Sequence, residues 1–228
     1  MSVNKIGMVV AMEEEIIPFL DKFGVQQEAF VGGGYKIIIY KLENKEIYIV
    51  KSGVGEIFAA AATQYLITKF GVETIINFGV VGALSDKLDL TAVVLVKGVV
   101  HYDFDTSAID GCPAGRYFCF DETVVKTDEN LLKKAENLCP GMKTVICASA
   151  DKFVVSPKIK EKLRNDYGAD ICEMESAGIL FTCKNNKVPC LIVKAVSDGT
   201  GGAEDFEKML SAASKAYVDL LIKILNVL

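Results

Sequence analysis

Short apolar runs at 5–11, 74–78, 92–100, 144–148 and 190–196 recur along this chain, separated by stretches whose apolar residues return every three or four positions. An apolar run of that length without polar alternation reads as a strand buried on both faces, which requires a sheet with helices packed on each side. The alternation therefore predicts an α/β fold: a three-layer sandwich whose mixed, mostly parallel sheet is flanked by helices. Segments 35–40 and 46–50 add a hairpin-like section preceded by the turn Gly32-Gly33-Gly34. Helices are expected at 14–23, after Gly55, at 131–138, at 157–167 and from 206 onward. In the last of these, Leu210, Ala213, Tyr217, Leu220, Ile224 and Val227 form one covering face. No repeat or linker interrupts the pattern, so a single domain is expected over 1–228.

A chain of 228 residues that is 51% hydrophobic can bury one sizeable core. The net charge of -5 comes without a basic cluster, which argues against a nucleic-acid partner and for a small solute. Seven cysteines, an odd number with no Cys-x-x-Cys, read as reduced thiols of a cytoplasmic protein. Residues 6–12 are too short for a signal segment, and Asp219 and Lys223 break the C-terminal apolar stretch, so no membrane partner is expected.

Chemistry concentrates where strands end. Cys172-Glu173-Met174-Glu175-Ser176 precedes a helical stretch at 178–184, which puts Glu175 at a helix start, and Ser197-Asp198 falls just past the strand at 190–196. Met12-Glu13-Glu14-Glu15 follows the first strand, and any one of those glutamates taken alone reads first as part of an ordinary acidic helix start. Gly79-Val80-Val81-Gly82 reads as a glycine-rich turn without dinucleotide or P-loop spacing, either a close approach to an uncharged ligand or simply a tight turn. The lone His101 reads as structural and no metal site is expected. Phe153, after the strand at 144–148, could stack on a flat ring or sit in the core. Carboxyl ends of strands are where open α/β sheets bind ligands.

Taken in order, Gly7 to Glu15, Ser52-Gly53-Val54-Gly55, Asn77-Phe78-Gly79, Gly111-Cys112-Pro113-Ala114-Gly115, Glu173-Met174-Glu175 and Ser197-Asp198 resemble the bacterial 5′-methylthioadenosine/S-adenosylhomocysteine nucleosidases, within the nucleoside phosphorylase superfamily. The resemblance spans nearly the whole chain. It implies a nucleoside phosphorylase-like fold and cofactor-free hydrolysis of the N-glycosidic bond of a 5′-modified adenosine. It assigns Glu15 to the attacking water, Asp198 to protonation of adenine N7 and Ser197 to orienting that aspartate. Glu175 would bind the ribose hydroxyls, Met174 the sugar and Phe153 the adenine face, with the Val154 backbone at the polar edge of adenine. Met12 and Gly82 complete the implied substrate-binding set. The resemblance also implies a homodimer whose 101–115 loop walls the partner's pocket for the 5′ substituent, with Ile109 as the wall residue. This chain departs from the family in having Val80 where a small hydroxyl residue is usual, and in the shortness of its 101–111 loop.

Elementary chemistry asks for the same residue types. Adenine leaves poorly unless protonated while the sugar becomes oxocarbenium-like, so an acid is needed at the base and carboxylates near ribose and water. Two rivals share the fold: a purine nucleoside phosphorylase and a nucleoside-binding protein without catalysis. A phosphate site favours bidentate arginines, and the chain has only Arg116 and Arg164, neither in the first loop nor beside Gly79. Retention of all three acids favours an enzyme over a binding protein.

Overall fold

The computed structural model describes residues 4–24, 28–42, 44–199 and 201–228. β1 (Asn4–Val10) leads into α1 (Glu13–Phe23), followed by β2 (Glu28–Gly32), β3 (Tyr35–Lys41) and β4 (Lys45–Lys51). α2 (Glu56–Phe70) connects to the long β5 (Thr74–Ala83), and β6 (Val93–His101) to a loop with the one-turn α3 (Ser107–Asp110) and the short β7 (Val125–Lys126). Then come α4 (Glu129–Leu138), β8 (Lys143–Ser149), α5 (Pro157–Tyr167), β9 (Ile171–Glu173), α6 (Ser176–Asn186), β10 (Cys190–Asp198), α7 (Ala203–Ala216) and α8 (Val218–Val227). Local chemistry marks several helix ends. Asp128 caps α4 by accepting the Leu131 N–H at 2.9 Å, Pro157 opens α5, and Gly71 and Gly168 end α2 and α5 in the left-handed conformation.

The central strands β1, β5 and β10 are buried on both faces, as their unbroken apolar runs require. Ile6, Met8 and Val10 of β1, Ile76 and Phe78 of β5, and Leu191, Val193 and Ala195 of β10 enter one core, covered by α1, α4, α7 and α8. The alternate residues Val9, Ile75, Ile192 and Val196 enter a second core, where Ala59, Ala62 and Leu66 of α2 and Ile179 and Leu180 of α6 pack. This period-two division puts helices on both sides of one sheet.

The sheet departs from the expected open sandwich. Its order is β10-β6-β8-β9-β5-β1-β4-β3-β2, with β7 on β6, and β10 also pairs with β5. β10 runs parallel to β5 and antiparallel to β6, so β10, β6, β8, β9 and β5 close into a ring from which β1 to β2 extend. Hydrophobic periodicity reports which faces are buried and is silent about which edges meet, so closure was not readable from the pattern. The pairing is mixed, with β1–β4, β1–β5, β5–β10, β6–β8 and β8–β9 parallel.

Three further expectations change. Residues 79–82 belong to β5, paired with β10 and β9, so the glycines sit within a buried strand and form no turn. The final helix is two helices meeting at Tyr217, whose hydroxyl reaches inward to donate to the Glu15 carbonyl at 2.8 Å. Of its predicted face, Val227 lies exposed, while Ala213, Tyr217, Leu220 and Ile224 are buried.

Candidate active site

A cleft of about 250 Å³ opens where the carboxyl ends of β1, β5, β9 and β10 come together. Ala11 and Met12 leave β1 into it, Val80, Val81 and Gly82 line it from β5, Cys172 and Glu173 from β9, and Ser197 and Asp198 from β10. Met174, Glu175, Phe153, Val54 and Phe206 complete the wall. Besides Glu173, three carboxylates, Glu15, Glu175 and Asp198, face this one space, and all are buried.

Each acid is held by a neighbouring element. Glu15, at the third position of α1, reaches back to accept the Met12 N–H at 2.9 Å, and its other oxygen accepts the Val80 N–H at 2.8 Å. The close approach to β5 needs Gly79, where a β-carbon would stand 2.6 Å from the Glu15 carboxylate. Burial raises the Glu15 pKa against the opposing pull of Lys194 and those two N–H groups. Asp198 accepts from the Ser197 hydroxyl at 2.9 Å, and a β-carbon on Gly82 would lie 2.8 Å from its other oxygen. Burial likewise raises Asp198, opposed by Ser197 and Lys160. Glu175, immediately before α6, accepts the Gly55 N–H at 2.9 Å, and burial together with the charge of Glu173 pushes it up to about 8.

Beneath these acids lies a buried charged layer, of which Glu173 still touches the cleft. Lys194, in the middle of β10, donates to Glu173 at 3.1 Å, and Glu173 also accepts from the Ser176 hydroxyl at 2.9 Å and the Glu175 N–H at 3.1 Å. Although burial alone would raise it, Lys194 and these hydrogen bonds hold Glu173 below the usual carboxylate range. Glu56, the first residue of α2, accepts from the Ser149 hydroxyl and the Gly178 N–H, tying α2 to the ends of β8 and α6. Burial and the Glu173 charge push Glu56 up to about 7.

Of the residues singled out from sequence, Met12, Glu15, Gly82, Phe153, Met174, Glu175, Ser197 and Asp198 meet in this cleft. Phe153 is 46% exposed, so it is no core residue, and its ring meets Phe206 edge-on at 5.6 Å. Val154 does not line the cleft: its side chain packs with Leu84, Val100 and Leu163. Ile109 is also outside it, 90% exposed on α3. His101 pairs with the Tyr117 hydroxyl at 2.7 Å and stacks on Phe104 and Tyr117, a structural arrangement. The reading from sequence missed Phe206, Val54 and the Lys194 layer. Lys194 carried a signal, since a single charge inside an apolar strand has to find a buried partner.

An α/β core that gathers three buried acids at converging strand ends matches the phosphorylase superfamily, whose family model covers residues 5–226. The aminodeoxyfutalosine nucleosidase of Campylobacter jejuni is 31% identical over 96% of this chain and 97% of its own length. The 5′-methylthioadenosine/S-adenosylhomocysteine nucleosidase of a Geobacillus species is 32% identical over 97% of this chain and 98% of its own. Among solved structures, the Helicobacter pylori 5′-methylthioadenosine/S-adenosylhomocysteine nucleosidase, complexed with a pyrrolopyrimidine-pyrrolidinol bearing a propynylthio arm, superposes with a TM-score of 0.94 at 30% identity over 100% of both chains. The chain belongs to the phosphorylase superfamily and, within it, to the 5′-methylthioadenosine/S-adenosylhomocysteine nucleosidase family.

Proposed function

We propose that this N-glycosyl hydrolase cleaves 5′-modified adenosines, 5′-methylthioadenosine and S-adenosylhomocysteine among them and 5′-deoxyadenosine by extension, to adenine and the 5′-modified ribose. The observation that carries the reading is the convergence of Glu15, Glu175 and Asp198 on one cleft that, among the described residues, neither arginine lines. Asp198, whose pKa burial raises, gives its proton to adenine N7, so the C1′–N bond breaks with a neutral base leaving. Glu175 holds the ribose hydroxyls, and the growing positive charge on the sugar draws its carboxyl toward the ionised form. Glu15 orients the water that adds to C1′ and takes its proton. Ser197 orients Asp198, Met12, Met174 and Gly82 lie along the ligand, and Phe153 covers the adenine face. No cofactor enters the scheme.

Phosphorolysis by the same fold would need cations for a phosphate dianion. Arg116 instead donates to the Cys112 sulfur at 3.1 Å, and Arg164 stands in the last turn of α5. A second substrate, aminodeoxyfutalosine, is favoured by the relatives named for it in Campylobacter and Helicobacter. We further infer a homodimer in which Ile109 and Phe118, 90% and 85% exposed, would wall the partner's 5′ pocket and gain burial there. The free thiols suit a cytoplasmic protein. The deciding experiment incubates purified protein with 5′-methylthioadenosine, S-adenosylhomocysteine, 5′-deoxyadenosine and aminodeoxyfutalosine in phosphate-free buffer and measures free base. Release without phosphate is expected. Release only on adding phosphate, with a ribose 1-phosphate product, would overturn hydrolysis, and no release from any of the four would overturn the substrate class.

A further inference from the structure

Lys160 lies behind the catalytic cleft, outside its wall, and is almost wholly buried in α5. Its ammonium donates to the carbonyl of Gly199 at 2.6 Å and to that of Ala83 at 3.2 Å, and stands 3.9 Å from Asp198 Oδ2. These three partners lie at the carboxyl ends of β5 and β10, where the two strands separate and the chain turns toward α7. A lysine is seldom buried unless a specific partner compensates its charge. Here two neutral carbonyls satisfy its hydrogen bonds, and the one carboxylate within reach is the acid of the proposed reaction.

We propose that Lys160 is a positioning residue for Asp198, fixing the strand end that carries the acid and balancing the negative charge that Asp198 acquires when its proton leaves. This rests on the hydrolytic reading above. On that reading Asp198 enters the step as the neutral acid. In the step, its O–H bond breaks, N7–H forms, the C1′–N pair moves into the purine, and the carboxylate left behind faces the Lys160 ammonium and the Ser197 hydroxyl. The cation thus favours the product side of the transfer more than the reactant side, the condition for acceleration. The other titratable groups that face Asp198 are Asp205 from α7, which disfavours its ionisation, and the Cys172 thiol from β9, which burial pushes up to about 12. Lys160 is therefore the single cation acting on Asp198 among the described residues.

The test is the pH profile of kcat for adenine release by Lys160→Met, Lys160→Gln and Lys160→Arg. On the hydrolytic scheme activity is expected to fall on the alkaline side as Asp198 loses its proton, and removal of a cation at this distance raises the pKa of a carboxyl by about one unit or more. Lys160→Met is expected to lower plateau kcat at least about tenfold and to move the alkaline limb upward by about a unit. Lys160→Gln, which keeps a donor for the Gly199 carbonyl, should move the limb equally with a smaller loss of kcat, and Lys160→Arg should leave the limb in place. If Lys160→Met does not fold, Lys160→Gln carries the test. A lowered Tm with the limb unmoved would make Lys160 a structural residue and overturn the proposal. Absence of adenine release by the unmodified protein would instead count against the hydrolytic reading.

Discussion

The reactive carboxyls depend on missing side chains as much as on their own identity. Gly79 and Gly82 sit in a fully buried strand where any β-carbon would press on Glu15 or Asp198, so β5 serves as a smooth floor for two acids at once. Asp198→Asn keeps the shape and the Ser197 contact but has no proton to give, so kcat should fall about 10²–10⁴-fold with the Tm nearly unchanged. Gly82→Ala should lower kcat by about 10-fold or more by displacing the same carboxyl, since misplacement on the scale of an ångström is costly to catalysis. Steady-state kinetics beside thermal melts check both. An Asp198→Asn protein within tenfold of the parent would mean that another group is the acid. The types of these residues were readable from the chain, because acids just past strand ends fall where α/β sheets bind ligands and the glycines allowed either a close approach or a tight turn. That the glycines make room for the protein's own carboxylates, and only indirectly for a ligand, required the packing.

At the level of elements, the site depends on how α2 meets α6. The Glu56 carboxylate at the start of α2 binds the Gly178 N–H in the first turn of α6, and Gly178 has no side chain to obstruct the Glu56 carbonyl and carboxylate packed over it. The neighbouring Gly55 N–H then points at Glu175. Glu56→Ala would leave the Gly178 N–H and the Ser149 hydroxyl without this buried acceptor, a loss of about 1–3 kcal/mol. Urea midpoints should show that drop, with Glu56→Gln milder because its amide oxygen still accepts. An unchanged midpoint for Glu56→Ala would show that α2 and α6 are held by apolar packing alone. Helical spacing predicted α2 and α6 separately. Nothing in either segment specified that a glutamate of one would lie on a glycine of the other 122 residues away.

Across the whole molecule, burying several carboxyls in one sheet makes stability depend on pH. Glu56 and Glu175 rise from 4.5 to about 7 and about 8, and Glu15 rises too, all chiefly through burial. A group raised in the folded state favours the protonated form there, so its stabilising contribution is complete below pH 4.5 and is lost as pH climbs toward the folded value. The ligand-free protein should therefore melt at a higher temperature at pH 5.5 than at pH 8.5, and Glu175→Gln should flatten the difference. Glu173, held low, changes only below that window. A melting temperature flat across the range would mean that these carboxyls are better solvated than the structure shows. By itself, the sequence determined the α/β class, the two-faced burial of the central strands, the first helix start to within one residue and the one at Pro157, and the acids at strand ends, because periodicity, caps and polarity act over a few residues. Tertiary structure alone decided the rest. β10 meets both β5 and β6 and so closes the ring, residues 79–82 are strand, the final helix breaks at Tyr217, and Lys160 and Lys194 find carboxylates, because edge pairing and charge burial are settled by elements far apart in the chain.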